Sequence, residues 1–175
     1  MNWLKIIFLI LLFAAPSFAK DNITLPEGWR YPTKEELSDE LERGDSPTKY
    51  AKAVADFNGD GIDDQAYLLM STKYSGHGLL VYLSNKKKVF KWVTLAKIDW
   101  GKKYPKGDLG MGVDVVKPGK YKTACGKGYF KCEKGEPEIL ELKRPSINYF
   151  KLGSASSFFF WDNKTNGFNR IWISD

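Results

Sequence analysis

From Ser46-Pro47 onward the chain alternates short apolar runs with turn residues. The runs are Tyr50–Ala55, Gln65–Met70, Leu79–Leu83, Val89–Leu95, Gly112–Val116, Glu138–Leu142, Ile147–Phe150, Ser156–Trp161 and Phe168–Ile173. Gly, Asn, Asp, Ser and Lys separate them, the signature of successive strands joined by turns. In the last run Ile171 and Ile173 alternate with Arg170 and Trp172, as in a strand with one buried face. Asp162–Gly167 reads as the hairpin connection before it. One helix is predicted upstream. Thr33-Lys-Glu-Glu36 forms a capping box behind Pro32, Leu37 and Leu41 share a face, and Gly44 offers a stop. The stretch Leu25–Pro32 is irregular, with Trp29 and Tyr31 as anchors, and residues 96–110 read as a long surface loop. These elements predict a mainly β domain, a sandwich or a strongly curled antiparallel sheet with one N-terminal helix.

The N-terminus has a different character. Lys5 precedes an apolar run, Ile6–Ala15, and Ser17 and Ala19 stand at the −3 and −1 places of a cut after Ala19. That is the pattern of a secretory signal peptide. As a helix the run rises about 15 Å, half of the ~30 Å hydrocarbon core a membrane span must cross. The expected organisation is a signal peptide over 1–19 and a single mainly β domain over 20–175. The location is periplasmic or secreted, with no membrane span after cleavage.

Export changes how the cysteines are read. Cys125 and Cys132 enclose six residues with two glycines, and in an oxidising compartment they are expected to form a disulfide. Two thiols with no nearby histidine fall short of the four ligands that structural zinc takes. Composition is globular, 43% apolar and 15% aromatic, and the formal charge is +6. A basic balance favours an acidic protein or an anionic envelope partner, or serves solubility alone. Export argues against nucleic acid.

The densest chemistry lies in Asp56-Phe-Asn-Gly-Asp-Gly-Ile-Asp-Asp64. Four carboxylates within nine residues repel one another, and a divalent cation reverses that sign. Hard cations such as Ca2+ take six to eight oxygens. Asp56, Asn58 and Asp60 can project to one centre, the Ile62 carbonyl can add a backbone ligand, and Asp64 can close the shell. Gly61 permits the turn. The alternative is an Asx-rich turn with no ion. The positions Asp56, Asn58, Asp60, Gly61 and Asp64 resemble the calcium loop of integrin-type FG-GAP repeats, as do the flanks Ala53-Val-Ala and Gln65-Ala-Tyr-Leu-Leu. The likeness covers about twenty residues. It implies a structural Ca2+ between two strands and no enzymatic activity. Tyr67 stands where a helix-loop-helix calcium hand has glutamate, so a switch of that kind is not expected.

Other residues also bear candidate chemistry. His77, the only histidine, sits in Ser75-Gly-His-Gly and reads as a turn residue in water, without a nucleophile or acid to form a triad. Glu133, Glu136, Glu138 and Glu141 read as solvated charges rather than a glycosidase pair. Lys86, Lys87, Lys88 and Lys91, with Trp92, Trp100 and Trp172, form a candidate partner surface; lysines guarding a strand edge are the alternative. Phe158–Trp161 must turn two rings outward if it alternates. With Trp172 those rings make an exposed apolar patch, or they pack under the long loop or the helix. The function expected from all this is an exported, calcium-stabilised, non-enzymatic binding protein, an inhibitor or immunity-type partner of another exported protein. The alternatives are a small hydrolase of cell-wall or glycan material and a passive structural envelope protein.

Overall fold

A computed structural model describes residues 23–101 and 109–174. The expected signal segment, and Lys102–Asp108 of the expected loop, lie outside the described residues. Among the described residues eleven strands run antiparallel: β1 Trp29–Arg30, β2 Lys52–Ala55, β3 Asp64–Ser71, β4 Gly76–Leu83, β5 Lys91–Asp99, β6 Met111–Val116, β7 Gly119–Lys122, β8 Ile139–Leu142, β9 Ser146–Lys151, β10 Ser156–Asp162 and β11 Gly167–Ser174. The protein is mainly β, as the alternating pattern predicts. Every expected run falls within or overlaps a strand.

Two sheets hold the core. The first is ordered β1-β3-β4-β5, with β2 also paired to β3; the second is β11-β10-β9-β6. Ala66, Leu68 and Met70 of β3 and Leu79 and Val81 of β4 pack with Val113, Ile147, Tyr149 and Phe159 of the second sheet. The opposite parity on the first sheet is buried too. Tyr67, Leu69 and Leu80 lie under Ile23, Leu25 and Trp29, so the irregular N-terminal stretch acts as a cover. Tyr31 meets the Tyr67 ring edge-on. A β7–β8 hairpin covers the outer face of the second sheet. Beneath it Phe158, Ile171 and Ile173 pack with Val116, Leu140 and Leu142, and Phe160 joins them from the edge. Alternation therefore does turn Phe158 and Phe160 away from the main core, but into a second core. They form no exposed patch with Trp172.

The predicted single helix is two short pieces, a 3-10 turn at Glu35–Leu37 and α1 at Glu40–Arg43. The capping box itself forms: Thr33 N donates to Glu36 Oε2 at 2.8 Å, and Glu36 N donates to Thr33 Oγ1 at 3.3 Å. The same carboxylate takes a two-pronged bond from Arg30, at 2.7 and 2.8 Å. Asp39 then starts a new turn by accepting from Glu42 N at 3.1 Å. The break separates the expected pair: Leu37 packs on the core, whereas Leu41 is 100% exposed. Arg43 ends α1 fully buried, donating to the Lys49 and Met111 carbonyls at 2.7 and 2.9 Å. It ties the 43–50 turn to β6, a role that no sequence pattern announced.

The expected loop at 96–110 is also shorter at its start. Residues 96–99 belong to β5 and pair with β4. The Cys125 and Cys132 sulfurs lie 2.05 Å apart, at disulfide distance.

Candidate functional site

Two places gather chemistry. The first is the acidic loop between β2 and β3. Asp56 accepts from the amides of Gly59, Asp60 and Gly61 at 2.7–3.0 Å. Asn58 Oδ1 accepts from Asp60 N, and its amide donates to the Ser84 carbonyl at 2.9 Å. Gly59 and Gly61 both have positive φ, so the turn needs glycine there. Asp64 is fully buried at the start of β3. It accepts from Phe57 N, Asn58 N, Ser84 N and Ser84 Oγ at 2.7–3.2 Å. A carboxylate offers about four acceptor sites, and protein donors fill all of Asp64's. Burial pushes its carboxyl above the ordinary range, against the pull of these bonds.

The Ser84 hydroxyl, from the end of β4, lies within 2.8–3.3 Å of Asp60 Oδ1 and Oδ2, the Ile62 carbonyl and Asp64 Oδ1. One proton cannot satisfy four acceptors. Oxygens of three expected ligands thus gather round one point with a shortage of positive charge. Among the described residues no three His, Cys, Asp or Glu come together in a group that could hold a metal. Any ion here would rely on the amide oxygen of Asn58 and the Ile62 carbonyl beside Asp56 and Asp60. Cationic side chains stand beside the loop. Arg144 Nη1 donates to the Asn58 carbonyl, and Lys86, Lys87 and Lys91 line the same depression of about 690 Å³ as Asn58, Gly59, Asp60 and Arg144.

The second place is a cleft of about 560 Å³ where the two sheets part. His77 and Ile98 and Trp100 line it from the first sheet side; Met111, Tyr149, Lys151, Arg170 and Trp172 line it from the second. The sequence explains the opening. Ile171 and Ile173 of β11 face the second core; of the residues alternating with them, Phe168 packs on the main core, whereas Arg170 and Trp172 stay exposed along the opening. A guanidinium and an indole cannot close a dry interior the way valine would.

His77 is not a turn residue in water. It lies in β4 with the same parity as Leu79 and Val81, and it is 2% exposed. The flanking glycines mark close approach instead of a turn. A Cβ at Gly78 would stand 2.5 Å from the Trp29 ring, and one at Gly76 2.0 Å from the Ile98 carbonyl oxygen. His77 Nε2 and the Tyr149 hydroxyl share a hydrogen bond of 2.8 Å across the sheets, and Nδ1 is buried with no partner among the described residues. Burial pulls the imidazole down to about 4 and pushes the Tyr149 phenol up to about 12. Both groups are neutral near pH 7. The pair has no nucleophile within it, and no Asp or Glu is among the described residues lining the cleft.

No protein-family model, curated protein or solved structure matches this chain.

Arg170 is therefore the cleft's dominant charge. Its guanidinium lies 4.3 Å from the Trp172 ring centre and 5.4 Å from that of Phe159. Nε donates to Ser157 Oγ at 3.0 Å. Burial lowers its affinity for the proton, an effect too small to neutralise an arginine.

The expected partner surface divides. Lys86, Lys87 and Lys91 line the depression beside the acidic loop, and Lys88 sits in the turn between β4 and β5 with φ 57°. Trp92 packs against Tyr67 and Tyr82 and donates to the Thr24 carbonyl at 3.0 Å. Trp100 and Trp172 belong to the cleft. Glu133, Glu138 and Glu141 are exposed, and Glu136 accepts from Glu133 N at 3.1 Å; none lines the cleft. Tyr149, Met111, Lys151 and Arg170 were missed because they come from distant strands. Only the polar–apolar alternation at 170–173 hinted at one of them.

Proposed function

We propose that this is an exported, calcium-stabilised, non-enzymatic binding protein that takes its ligand in the cleft between the two sheets. The observation that carries the reading is the placing of Arg170 and Trp172, both exposed, along the cleft on β11, while their neighbours Ile171 and Ile173 face the second core. A cleft of a few hundred Å³, mostly apolar and aromatic with a few convergent polar groups, is the usual form of a small-ligand site. The neutral His77–Tyr149 pair at its wall suits recognition, since it offers hydrogen bonding without a nucleophile to turn over a substrate.

Affinity capture from the protein's own envelope extract tests this. The wild type is expected to retain one stoichiometric companion, protein or small molecule, that a Trp172→Ala/Arg170→Gln double variant releases. Identical sets retained by both forms would remove the cleft as the binding site.

Calcium belongs to the same proposal. Asp56, Asn58, Asp60 and the Ile62 carbonyl would hold the ion, with Asp64 joining only by giving up one of its protein donors. The ion would supply the positive charge that four acceptors around Ser84 lack, bracing β2, β3 and the end of β4. Millimolar Ca2+ outside a cell suffices for a weak site. At a concentration about 100-fold above Kd it adds about 2.7 kcal/mol, so Ca2+ is expected to raise the Tm by several degrees and Asp60→Ala to abolish the rise. Equal shifts in both proteins would dismiss the ion.

A second reading rests on the depression lined by Lys86, Lys87, Lys91 and Arg144. Four cations on one face suit an acidic partner, as an inhibitor or immunity-type protein would meet.

A further inference from the structure

The cleft's lining narrows what it can accept, and the inference rests on the reading that the cleft is the ligand site. Two cations stand at it, Arg170 and Lys151. Neither has an ion-pair partner among the described residues. Arg170 uses Nε on Ser157 Oγ; its two terminal nitrogens have no acceptor among the described residues and remain as a forked donor. Stacking on Trp172 holds that fork in place, which removes much of the entropy cost of using it. The opposing walls are flat and apolar: Trp100, Trp172, Met111, Ile98 and the buried Leu109. Trp100 also packs on the His77 ring, with centroids 5.5 Å apart, so its indole is fixed rather than free to collapse into the space. His77 and Tyr149, hydrogen-bonded to each other, also line the cleft.

We propose that the cleft binds a small organic anion, a flat apolar body bearing one carboxylate. The carboxylate meets Arg170 through two parallel hydrogen bonds, with Lys151 adding charge. The flat body lies between Trp100 and Trp172 over Met111. Charge complementarity decides the sign of the ligand, because the described lining contains two cations and no acid. The fork decides the group, since guanidinium matches a carboxylate two-pronged. The aromatic walls decide the body, since indole faces favour offset stacking with another ring.

Calorimetric titration of the purified protein with 2-naphthoate, 2-naphthamide and acetate tests each element. Naphthoate is expected to bind, naphthamide to bind about tenfold more weakly or worse, and acetate to give no measurable heat; a tenfold ratio is the loss of one good polar contact. Arg170→Gln is expected to weaken naphthoate about tenfold, and Arg170→Lys to fall between, because it keeps charge but loses the fork. Lys151→Gln and Trp172→Ala provide independent variants should Arg170→Gln fail to fold, each expected to weaken naphthoate measurably. Lys134→Gln, exposed and away from the cleft, is expected to leave binding unchanged. Equal binding of acid and amide overturns the proposal, as does naphthoate binding that survives both Arg170→Gln and Lys151→Gln, or the absence of naphthoate binding to wild type. A Gly-Gly-Phe peptide with a free carboxylate that binds more tightly than naphthoate also overturns it, making the occupant a chain terminus. If naphthoate fails while capture from extract still depends on Trp172 and Arg170, the ligand class falls and the cleft's binding role stands.

Discussion

Asp64→Ala is expected to cost on the order of 4 kcal/mol in urea unfolding, a large share of the 5–15 kcal/mol that holds a domain together. The carboxylate is fully buried and accepts four hydrogen bonds, three of them from backbone amides. Removing it leaves the Phe57, Asn58 and Ser84 amides without an acceptor in a place water cannot easily reach. Each such orphan costs about 1–3 kcal/mol. Asp64→Asn separates charge from geometry. Its single oxygen can serve either the loop amides or the Ser84 donors but not both, so an intermediate loss of about 2 kcal/mol is expected. The measurement is made in chelator, so that the loop's own bonds are tested apart from any ion. A loss below about 1 kcal/mol for the alanine variant would show that the loop draws its order from elsewhere.

Acid is expected to weaken the protein through His77. The folded imidazole is held down to about 4 by burial, whereas the unfolded chain titrates at 6.5. Between those values the unfolded state binds a proton that the folded state refuses. Stability is therefore intact above pH 6.5 and falls as pH drops toward 4. A fall from 6.5 to about 4 corresponds to about 3 kcal/mol. His77→Gln keeps a hydrogen-bonding group for Tyr149 and cannot take a proton. It is expected to be less stable than wild type at pH 8, with the difference shrinking or reversing by pH 4.5. Carboxylates titrate in the same range, so the informative quantity is wild type minus variant. A constant difference across pH 4.5–8 would mean that burial does not hold the His77 imidazole below its unfolded value.

The capping box at Thr33–Glu36 was readable because its partners are three residues apart. The helix length was not, because Arg30 and Asp39 intervene from either side. The strands were readable as short apolar runs bounded by turn residues, continuous where both faces are buried, and that signal needs no knowledge of the partner strand. The hairpin strand Gly119–Lys122 escaped, as Gly-Lys-Tyr-Lys has little apolar pattern; what it covers, the Phe158 face, is set by the fold. His77 was misread for a related reason. Glycines on both sides mean a turn or a close approach, and only the positions of Trp29 and Ile98 distinguish the two.

The amino-acid order alone determined a β-rich body, an oxygen-rich turn between two strands and a closable pair of cysteines. Each of these rests on neighbours in the chain, whose geometry is fixed by covalent reach. Tertiary structure alone decided the cleft, because His77, Trp100, Met111, Tyr149 and Arg170 stand on five separate stretches of chain. Their encounter depends on which sheet each strand joins and which face it turns inward. That is settled by competition among all the apolar surfaces at once, and no local spacing records it.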